Sequence, residues 1–500
     1  MHAKQPGYHA SARQPVVQSK IGLAACALAS AVLLLPHTPA IAQTDASASA
    51  LAATWRATSR LGYGPTAAST QAAQSNPQAW ALQQIDAAYA ASRQVPNIAP
   101  ELARFNQPVG EIARDFQAER EARRTLRERA AAPAVQSNLA NLATAPPIGP
   151  ENFSREMQQT AAVWRLMACS DASVENPLLA RMTEFWFNHL NVFTGKGTVR
   201  PFVGHYAVNV VRAHALGKFE DLLLASARHP AMLFYLDQAQ SNVRGLNENY
   251  ARELMELHTL GVDAGYTQTD VRELARILTG WTVGLQQGEG FRFAERLHDK
   301  TSKTLLGRTF SDDGVNEGEA AIRMLARHPA TAKRIARRLA TTFVSDKPPL
   351  ALVDHLAATF RSTQGDIRAV MRALVSSPEF WSAGNTLFKT PLDFACSALT
   401  AGGGARDKRD IQLTLGFLTQ AGQPMHGWQT PDGYKTDAAT WLAPEALTRR
   451  ADYAVTLGKR IGEPTYLKPF FSAASLERIA REAPDVQTGL LLASPDFMNK

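Results

Sequence analysis

The stretch from Asn247 to Gly261 constrains the fold more than any other part of the chain, because it has the marks of one complete amphipathic helix. The side chain of Asn247 can accept a hydrogen bond from a free amide of the first turn, and Gly261 suits the left-handed position that ends a helix. At about 100° per residue, Tyr250, Leu254 and Leu257 share one apolar face. Such a face must be buried against other elements, so the sequence predicts a packed helical body.

Polar side chains gather on the other side of this helix, at Asn249, Arg252, Glu253 and Glu256. Glu253 and Glu256 are neighbours on the helix surface because residues at i and i+3 lie on one face. Paired carboxylates can hold a hard cation, or can act as acid and base if their environments separate their pKa values. In the alternative interpretation, Arg252 pairs with Glu256 and Asn249 with Glu253, and the four form a buried polar clamp.

A second helix follows after a short turn at residues 263–265. Thr267 and Asp270 at its start resemble a capping box with Asp in place of Glu, and Trp281 follows its end. Two helices joined by a short turn pack as a hairpin. The residues of this hairpin to which we assign a structural or binding role are Asn247, Asn249, Arg252, His258, Asp270 and Trp281.

Helical periodicity recurs through most of the remaining chain, so we predict a mainly α fold, with one multi-helix domain over residues 55–500. Residues at about 100–150 are expected to form a charged helix followed by an Ala/Pro linker. The Gly-rich stretch at about 284–310 is expected to form a small β-ribbon insertion, because Phe291-Arg292-Phe293 alternates as a strand does. The Gly-, Pro- and Trp-rich stretch 423–441 is expected to be an ordered surface loop.

The N-terminus has the composition of a targeting segment. A basic start, an apolar core from Ile21 to Leu35 and an Ala-x-Ala site predict a signal peptide over residues 1–42, cleaved after Ala42. Cys26 fits a lipoprotein acylation box, but most of the apolar core follows it, so we favour ordinary cleavage. We expect residues 43–54 to be disordered and the protein to be periplasmic or secreted, with no transmembrane anchor.

The net charge of +8 does not indicate a nucleic-acid-binding protein. The predicted signal peptide holds three basic residues and no acid, so cleavage leaves 8 − 3 = +5 on the rest of the chain. Nucleic-acid-binding domains usually concentrate such charge in a patch or stripe. The densest basic run contains Lys333, Arg334, Arg337 and Arg338. We favour a solvated helix face for this run over an anion-binding patch.

Cleavage would leave two cysteines, Cys169 and Cys396. Export would allow a bridge between them. Each lies in an apolar helical context, so we expect two separate buried thiols rather than a disulfide.

Standard catalytic motifs such as G-x-S-x-G, H-E-x-x-H and the P-loop are absent from the sequence. His189 can be a general base, a metal ligand or a packed core residue, and His258 is expected in the core. Glu256 and His258 cannot share a metal on a regular helix, because they point about 160° apart. Asp299 can orient a histidine, although turn chemistry also explains it. The candidate catalytic residues are Glu253, Glu256, His189, His298 and Asp299.

Four aromatic residues, Trp281, Trp428, Tyr434 and Trp441, can be interpreted in two ways. They can line a cleft that stacks on a sugar or polymer, or they can be ordinary core residues. We favour the core.

Several segments together resemble the signature of one bacterial family. The segments are 247–262, 265–268, 278–281, 185–189, 229–232, His298-Asp299 with Lys303 and 306–307, 343–346, 427–428 and 441–442. They closely resemble the bacterial domain of unknown function 1800 family, over about residue 55 to the C-terminus. Members are typically encoded beside a second exported family, of unknown function 1501, that looks sulfatase-like. The resemblance implies no activity, but it implies a sulfatase-like exported partner.

Two functions follow as hypotheses. In the first, the chain is an exported, non-catalytic binding or assembly protein. In the second, it is a hydrolase of unknown substrate that uses Glu253, Glu256 and His189; a divalent metal is the one cofactor we consider, and the sequence does not identify it. A reachable pocket that joins His189 to either glutamate would favour the enzyme. Glutamates that are paired and sealed would favour the scaffold.

Overall fold

The computed structural model describes residues 40–131 and 150–500, with side chains for 48–128 and 151–500. Residues 46–500 form one compact unit. Residues 1–45 form a second unit, of which only the segment from residue 40 onward is described. Residues 1–39 of the predicted signal peptide and residues 132–149 of the predicted Ala/Pro linker lie outside the described residues.

The described chain is mainly α-helical, which confirms the predicted fold class. The helices before the strands are α1 Ala40–Arg60, α2 Ala67–Ala73, α3 Pro77–Ser92, α4 Val109–Ala131, α5 Phe153–Ser170, α6 Pro177–His189, α7 Val203–His205, α8 Phe219–Arg228, α9 Pro230–Tyr235, α10 Asn249–Glu253 and α11 Gln268–Ile277. The helices after the strands are α12 Val315–Arg327, α13 Pro329–Phe343, α14 Leu350–Ser362, α15 Ile367–Ser376, α16 Pro378–Trp381, α17 Pro391–Ala401, α18 Lys408–Gln420, α19 Ala438–Trp441, α20 Pro444–Gly458, α21 Ala473–Ala480, α22 Pro484–Ala493 and α23 Pro495–Met498.

Shorter helical turns connect these elements. Two are π-helical, Tyr206–Arg212 and Leu254–His258. The 3₁₀ turns are Ala103–Asn106, Pro150–Asn152, Arg200–Phe202, Gln238–Gln240, Leu285–Gln287, Glu295–Leu297 and Thr465–Phe470. None of the helices described has both the length and the apolar character that a membrane crossing requires.

The predicted β insertion is present as two small antiparallel hairpins. Strand β1 (Trp281–Val283) pairs with β2 (Phe291–Phe293), and β3 (Lys303–Leu305) pairs with β4 (Arg308–Phe310). The tight turn between β3 and β4 has positive φ at both central residues, which is the geometry that suits a two-residue hairpin loop. The insertion begins at Trp281, slightly earlier than predicted.

The N-terminal boundary differs from our prediction. Helix α1 covers the stretch 43–54, where we expected disorder. The stretch is rich in alanine, the residue with the highest helix propensity, and this composition favours a helix over a disordered tail.

The apolar side chains form two clusters of buried residues. The larger cluster includes residues of α3, α5, α6 and α8–α15. The smaller one includes residues of α17, α18, α20 and α22. Helices α5 and α6 contribute to both clusters, because Met157 and Phe185 belong to the larger and Leu166 and Ala180 to the smaller. The two clusters therefore meet along α5 and α6.

A disulfide ties the smaller cluster together, and our expectation of two free thiols was wrong. Cys169 at the end of α5 is bonded to Cys396 in α17, with a Cα–Cα distance of 5.6 Å. The apolar contexts were correctly recognised, since both residues are buried. Those contexts did not reveal that two helices 227 residues apart in sequence place their cysteines side by side.

The predicted helical hairpin over residues 247–281 forms, with one difference from the prediction. The side chain of Asn247 accepts from the amide of Asn249 at 2.9 Å, and Gly261 has a φ of +93°. Thr267 and Asp270 form the predicted capping box. The single regular helix was wrong beyond residue 253, because Leu254–His258 is a π-helical turn. Such turns inside helices frequently occur at functional sites.

Candidate functional site

A cavity of about 530 Å³ lies where the two apolar clusters meet. It is enclosed by α5, α6, α13, the start of α17 and the segment 423–437. The residues that line it are Arg165, Arg181, Glu184, Phe185, Phe187, Asn188, Asn191, Leu257, Arg334, Arg337, Arg338, Thr341, Thr342, Leu387, Thr390, Leu392, Asp393, Gln423, Pro424, Met425, His426, Asp432, Tyr434, Lys435, Thr436, Asp437 and Lys500.

The segment 423–437 is held in place by side chains at and just after the end of α6. The Asn188 amide donates to the carbonyl of Tyr434 at 2.9 Å, and its oxygen accepts from the amide of Tyr434 at 2.7 Å. The Asn191 amide donates to the carbonyls of Trp428 and Thr430 at 3.0 and 2.9 Å. The predicted surface loop is therefore an ordered wall of the cavity.

Two backbone conformations allow this wall to pack closely. Gly433 has a φ of +73°, and a Cβ added there would overlap the carbonyl of Asn188. His426 also has a positive φ, +58°, which is uncommon for a residue with a side chain. Its carbonyl accepts from the hydroxyl of Thr194 at 2.9 Å, which helps to fix this conformation. The His426 ring is buried, and both of its nitrogens are sealed without a hydrogen-bond partner among the described residues.

The lining of the cavity has an excess of positive charge. It contains seven basic side chains and four acidic ones, a difference of 7 − 4 = +3. Four of the basic side chains form ion pairs. These pairs are Arg165–Glu184, Arg181–Asp393, Lys500–Asp393 and Lys435–Asp432. Among the described residues, the other three basic side chains, Arg334, Arg337 and Arg338, form no ion pair, and neither does the fourth acid, Asp437.

These three arginines lie on one side of α13. The Arg334 Nε donates to the carbonyl of Leu257 at 3.0 Å. Over residues 40–131 and 150–500, the guanidinium groups of Arg337 and Arg338 form neither a hydrogen bond nor an ion pair. Burial and, to a smaller extent, the charge of Arg334 lower the pKa of Arg338 to about 10, while the charge of Asp432 acts in the opposite direction. The neighbouring Lys333 points away and pairs with Asp354 at 3.1 Å. The basic run is thus divided: Lys333 and Arg337 are exposed, as the predicted solvated face requires, whereas Arg334 and Arg338 are half-buried.

The carboxylates of Glu253 and Glu256 lie close to this arginine cluster but outside the cavity lining. Burial raises the pKa of Glu253, and the charges of Glu256 and Asp432 raise it further. The charge of Glu256 acts in turn on Arg334. Both glutamates are half-buried, and neither forms a hydrogen bond or ion pair within the described part of the chain.

The pairs of the predicted polar clamp do not form. Arg252 bonds to Glu248 at 3.2 Å, one turn before it, rather than to Glu256. Asn249 donates to a backbone carbonyl at 3.3 Å rather than to Glu253. The change to π-helical geometry at residue 254 invalidates the face assignment of Glu256, whereas Asn249 and Glu253 both lie in α10 and Asn249 donates instead to the carbonyl of Leu236.

His189 is buried away from both glutamates. Its Nε2 lies 3.0 Å from the carbonyl oxygen of His258, and its ring packs against Trp186 and Phe219. Burial lowers the pKa of both histidines, to about 3 for His258. No described hydrogen bond or ion pair joins His189 to Glu253 or Glu256. The structure therefore does not form the reachable Glu/His site that would have favoured the enzyme.

His298 and Asp299 lie in a second group of polar residues, between the hairpins and α11 and α12. The Nε2 of buried His298 is 2.8 Å from Glu317, which also pairs with Lys303 at 2.6 Å. Asp299 pairs with Arg276 at 2.8 Å, and hydrogen bonds to Arg276 and Thr301 hold its pKa below the ordinary value despite burial. This arrangement fixes the hairpins to the helices.

The four aromatic residues do not share one cleft. Trp281 is fully buried against Phe291, with ring centroids 5.0 Å apart, and Trp441 is buried elsewhere. Trp428 and Tyr434 pack against each other at 4.8 Å. Only Tyr434 lines the cavity.

Metal-binding residues are not grouped in the part of the chain that the structure describes. No cluster of three or more His, Cys, Asp or Glu side chains is arranged there to hold a metal ion. We favoured a solvated face over an anion-binding patch for the basic run, although the spacing i, i+3, i+4 of Arg334, Arg337 and Arg338 places these three arginines on one face. Nothing local in the sequence indicated that Asn188 would hold a segment far along the chain.

A family model described as Protein of unknown function (DUF1800) matches residues 56–499. The chain belongs to this family. The membership predicted from the sequence segments is confirmed, over nearly the same residues. The description of the family names no activity, so the proposal for a function depends on the cavity. No curated protein and no solved structure matches the chain.

Proposed function

We propose that this DUF1800 protein is an exported binding protein whose cavity takes an anionic ligand on Arg334, Arg337 and Arg338. The guanidinium of Arg338 is the observation that carries the proposal. It lies in the cavity without a hydrogen bond or ion pair to any described residue. Arg338 is half-buried, and withdrawing a charged group partly from water without a partner costs free energy. A ligand that supplies anionic oxygens would offset this cost.

The chemistry of arginine supports an anion with more than one oxygen. A guanidinium presents its donors in a planar fork that matches carboxylate, phosphate or sulfate in a bidentate manner. Three such groups at i, i+3 and i+4 on α13 can surround one anion from one side. Thr341, with its hydroxyl free of hydrogen bonds to other described residues, lies on the next turn of the cavity wall.

A group of buried cations beside the cavity adds to its positive potential. Its single carboxylate, Asp393, accepts from both Arg181 and Lys500, and these charges hold its pKa below the ordinary value despite burial. The buried basic side chains of this group are Arg60, Arg181, Lys389, Arg450 and Lys500. Low-dielectric walls around such an excess of charge focus the field into the cavity and favour anions.

Export is part of the proposal and has separate support. The N-terminal 42 residues have the composition of a cleavable leader. The disulfide between Cys169 and Cys396 fits an oxidising compartment, where such bonds persist. The sulfatase-like partner stays a prediction of the family resemblance. An anion-binding cavity would suit a partner that handles anionic esters.

Titration calorimetry with inorganic sulfate and inorganic phosphate tests the proposal. We expect both to bind the unmodified protein, and Arg338→Gln to weaken binding by roughly 10- to 100-fold, the value of one or two charge-assisted hydrogen bonds. Arg361→Gln is the matched control. Arg361 is exposed on α14 and lies outside the cavity. Its replacement therefore removes one positive charge from the protein without changing the cavity. Equal losses in the two variants, or no binding at all, would refute the proposal.

A hydrolase remains the second candidate because of Glu253. Its raised pKa suits a general acid, and Glu256 beside it is the second carboxylate of the pair. The charge of Glu256 acts both on Arg334 and on Glu253, so an anionic substrate held on the arginines would lie near this pair. His189 has no part in this version, because its ring is sealed in the core.

Chromogenic esters provide the test of this second candidate. We would assay nitrophenyl phosphate, sulfate, acetate and glycosides with the unmodified protein, Glu253→Gln and Glu256→Gln, and measure bound metals by elemental analysis. A hydrolase of this kind loses about 10²–10⁴-fold in rate with either variant, whereas the exposed Glu445→Gln keeps its rate. A rate that none of the substitutions changes would exclude the glutamates from catalysis.

A further inference from the structure

We propose that the anionic ligand of this cavity has an apolar body, so that the protein binds such organic anions more tightly than inorganic anions or polar sugar esters. This inference rests on the proposed function, because it assumes that the charged group of the ligand lies on Arg338 and its neighbours. It adds the chemical class of the remainder of the ligand. The size of the cavity and the distribution of its lining carry the argument.

The cavity is much larger than one tetrahedral anion. Its volume of about 530 Å³ equals the share of liquid volume taken by roughly 15–20 water molecules, at about 30 Å³ each. Pockets for organic ligands commonly fall between about 300 and 1,000 Å³. A sulfate or phosphate group on α13 would leave most of this space for another part of the ligand.

Among the described residues, the unpaired positive charge of the cavity wall is confined to one helix. The free guanidinium groups all come from α13, while the charged side chains from α5, α6 and α17 are neutralised in ion pairs such as Arg165–Glu184. Apolar side chains come from the other elements. They are Phe185, Phe187, Leu257, Leu387, Leu392, Pro424 and Met425. A ligand anchored at α13 therefore meets carbon surface over much of the remaining wall.

The polar groups of that wall are largely committed to the protein. Asn188 and Asn191 use their amides to hold the 423–437 segment, and Gln423 accepts from the amide of Leu392 at 2.9 Å. The hydroxyl of Thr390 accepts from the amide of Asp393 at 3.2 Å. A sugar would find few free partners for its hydroxyls here, so burying it would leave polar groups unpaired.

A series of alkylphosphonates tests the inference with the unmodified protein. We would measure the dissociation constants of inorganic phosphate, methylphosphonate, butylphosphonate and hexylphosphonate, and of glucose 6-phosphate as a polar body of similar size. We expect affinity to rise along the series by up to about fourfold per methylene, which is the gain for a fully buried CH₂. Glucose 6-phosphate should bind at least tenfold more weakly than hexylphosphonate.

A substitution in the apolar wall provides a second measurement. Met425→Ser should weaken hexylphosphonate roughly tenfold and leave inorganic phosphate unchanged, because half-buried Met425 lies in the wall and not among the arginines. Met324→Ser is the matched control. Met324 is also half-buried, but it packs against the larger apolar cluster on α12, outside the cavity lining, and neither affinity should change.

The two proposals fail in different ways. Affinity that is flat along the alkyl series, or glucose 6-phosphate that binds as tightly as hexylphosphonate, would overturn the apolar body and leave the anion site intact. Failure of every anion to bind, or binding that Arg338→Gln leaves unchanged, would overturn the anion site itself and the inference with it.

Discussion

The guanidinium of Arg338 lies in a cavity where it has no anionic partner among the described residues, and burial lowers its pKa to about 10. A half-buried charge in this state destabilises the fold that holds it. Such a loss of stability is typical of functional sites, because a side chain that ligand binding requires can destabilise the ligand-free protein. Stability and binding should therefore respond in opposite directions when this one side chain is replaced.

Arg338→Met should stabilise the ligand-free protein by roughly 1–2 kcal/mol, because it replaces an unpaired charge with an apolar chain of similar length. The same variant should lose binding of inorganic sulfate. Urea unfolding with and without sulfate measures both effects. Arg361→Met on the exposed face of α14 is the control, and we expect it to change stability by less than about 0.5 kcal/mol. A loss of stability in Arg338→Met would show that this arginine supports the fold.

Replacement of Gly433 should likewise affect ligand binding without disrupting the helical fold. Its φ of +73° and its contact with the carbonyl of Asn188 leave no room for a Cβ. Gly433→Ala should cost about 1–3 kcal/mol in local strain and release the 423–437 segment, so that sulfate binding falls while the helical content by circular dichroism stays constant. Gly416→Ala in α18 has free space for a Cβ and should be neutral or stabilising.

Among the elements, those defined by local chemistry were predictable. The capping box of Thr267 and Asp270, the left-handed Gly261 and the alternation at Phe291-Arg292-Phe293 each depend on residues close in sequence, and each formed. The π-helical turn at Leu254–His258 was not predictable. It depends on tertiary contacts, including donation from Arg334 to the carbonyl of Leu257. Face assignments that assumed a regular helix therefore failed with it.

The disulfide between α5 and α17 gives the strongest prediction about how the helices hold together. Replacing both Cys169 and Cys396 with alanine should lower the free energy of unfolding by about 3–5 kcal/mol, because the bridge closes a loop of 227 residues in the unfolded chain. Alanine avoids burying a hydroxyl in this apolar cluster. The reduced natural protein should unfold at the same urea concentration as the double variant. Identical midpoints for the oxidised protein and the variant would contradict this role.

For the whole molecule, the sequence predicted the fold class, the family and the position of the β insertion, since these depend on periodicity and on segments of local sequence. The cavity was not predictable in the same way. Its walls come from α5, α6, α13, α17 and the 423–437 segment, and only their packing shows that Arg338 faces a partly open cavity. The carboxylates of Glu253 and Glu256 lie near it, but His189 is in the core. The sequence therefore indicated the neighbourhood of the site and named its arginines, but it favoured a solvated face over an anion-binding patch for them.

Buried neutral histidines give the whole molecule a specific acid sensitivity. Burial lowers the pKa of His189, His205, His229, His258 and His426, to about 4 for His205 and about 3 for His258. The unfolded chain takes up protons at these positions below about pH 6.5, where the folded chain does not, so stability falls as pH falls through this window. Each histidine contributes a slope of up to about 1.4 kcal/mol per pH unit to the free energy of unfolding. Carboxylates with lowered pKa values, such as Asp393, affect stability only at lower pH.

Urea unfolding at pH 7.0, 6.0 and 5.5 should show that the free energy of unfolding falls by several kcal/mol over this range. His205→Gln should reduce the dependence of the unfolding free energy on pH by the amount that one proton contributes, and replacement of the exposed His355 by Gln should leave this dependence unchanged. Constant stability from pH 7.0 to 5.5 would mean that the buried rings do become protonated in the folded protein.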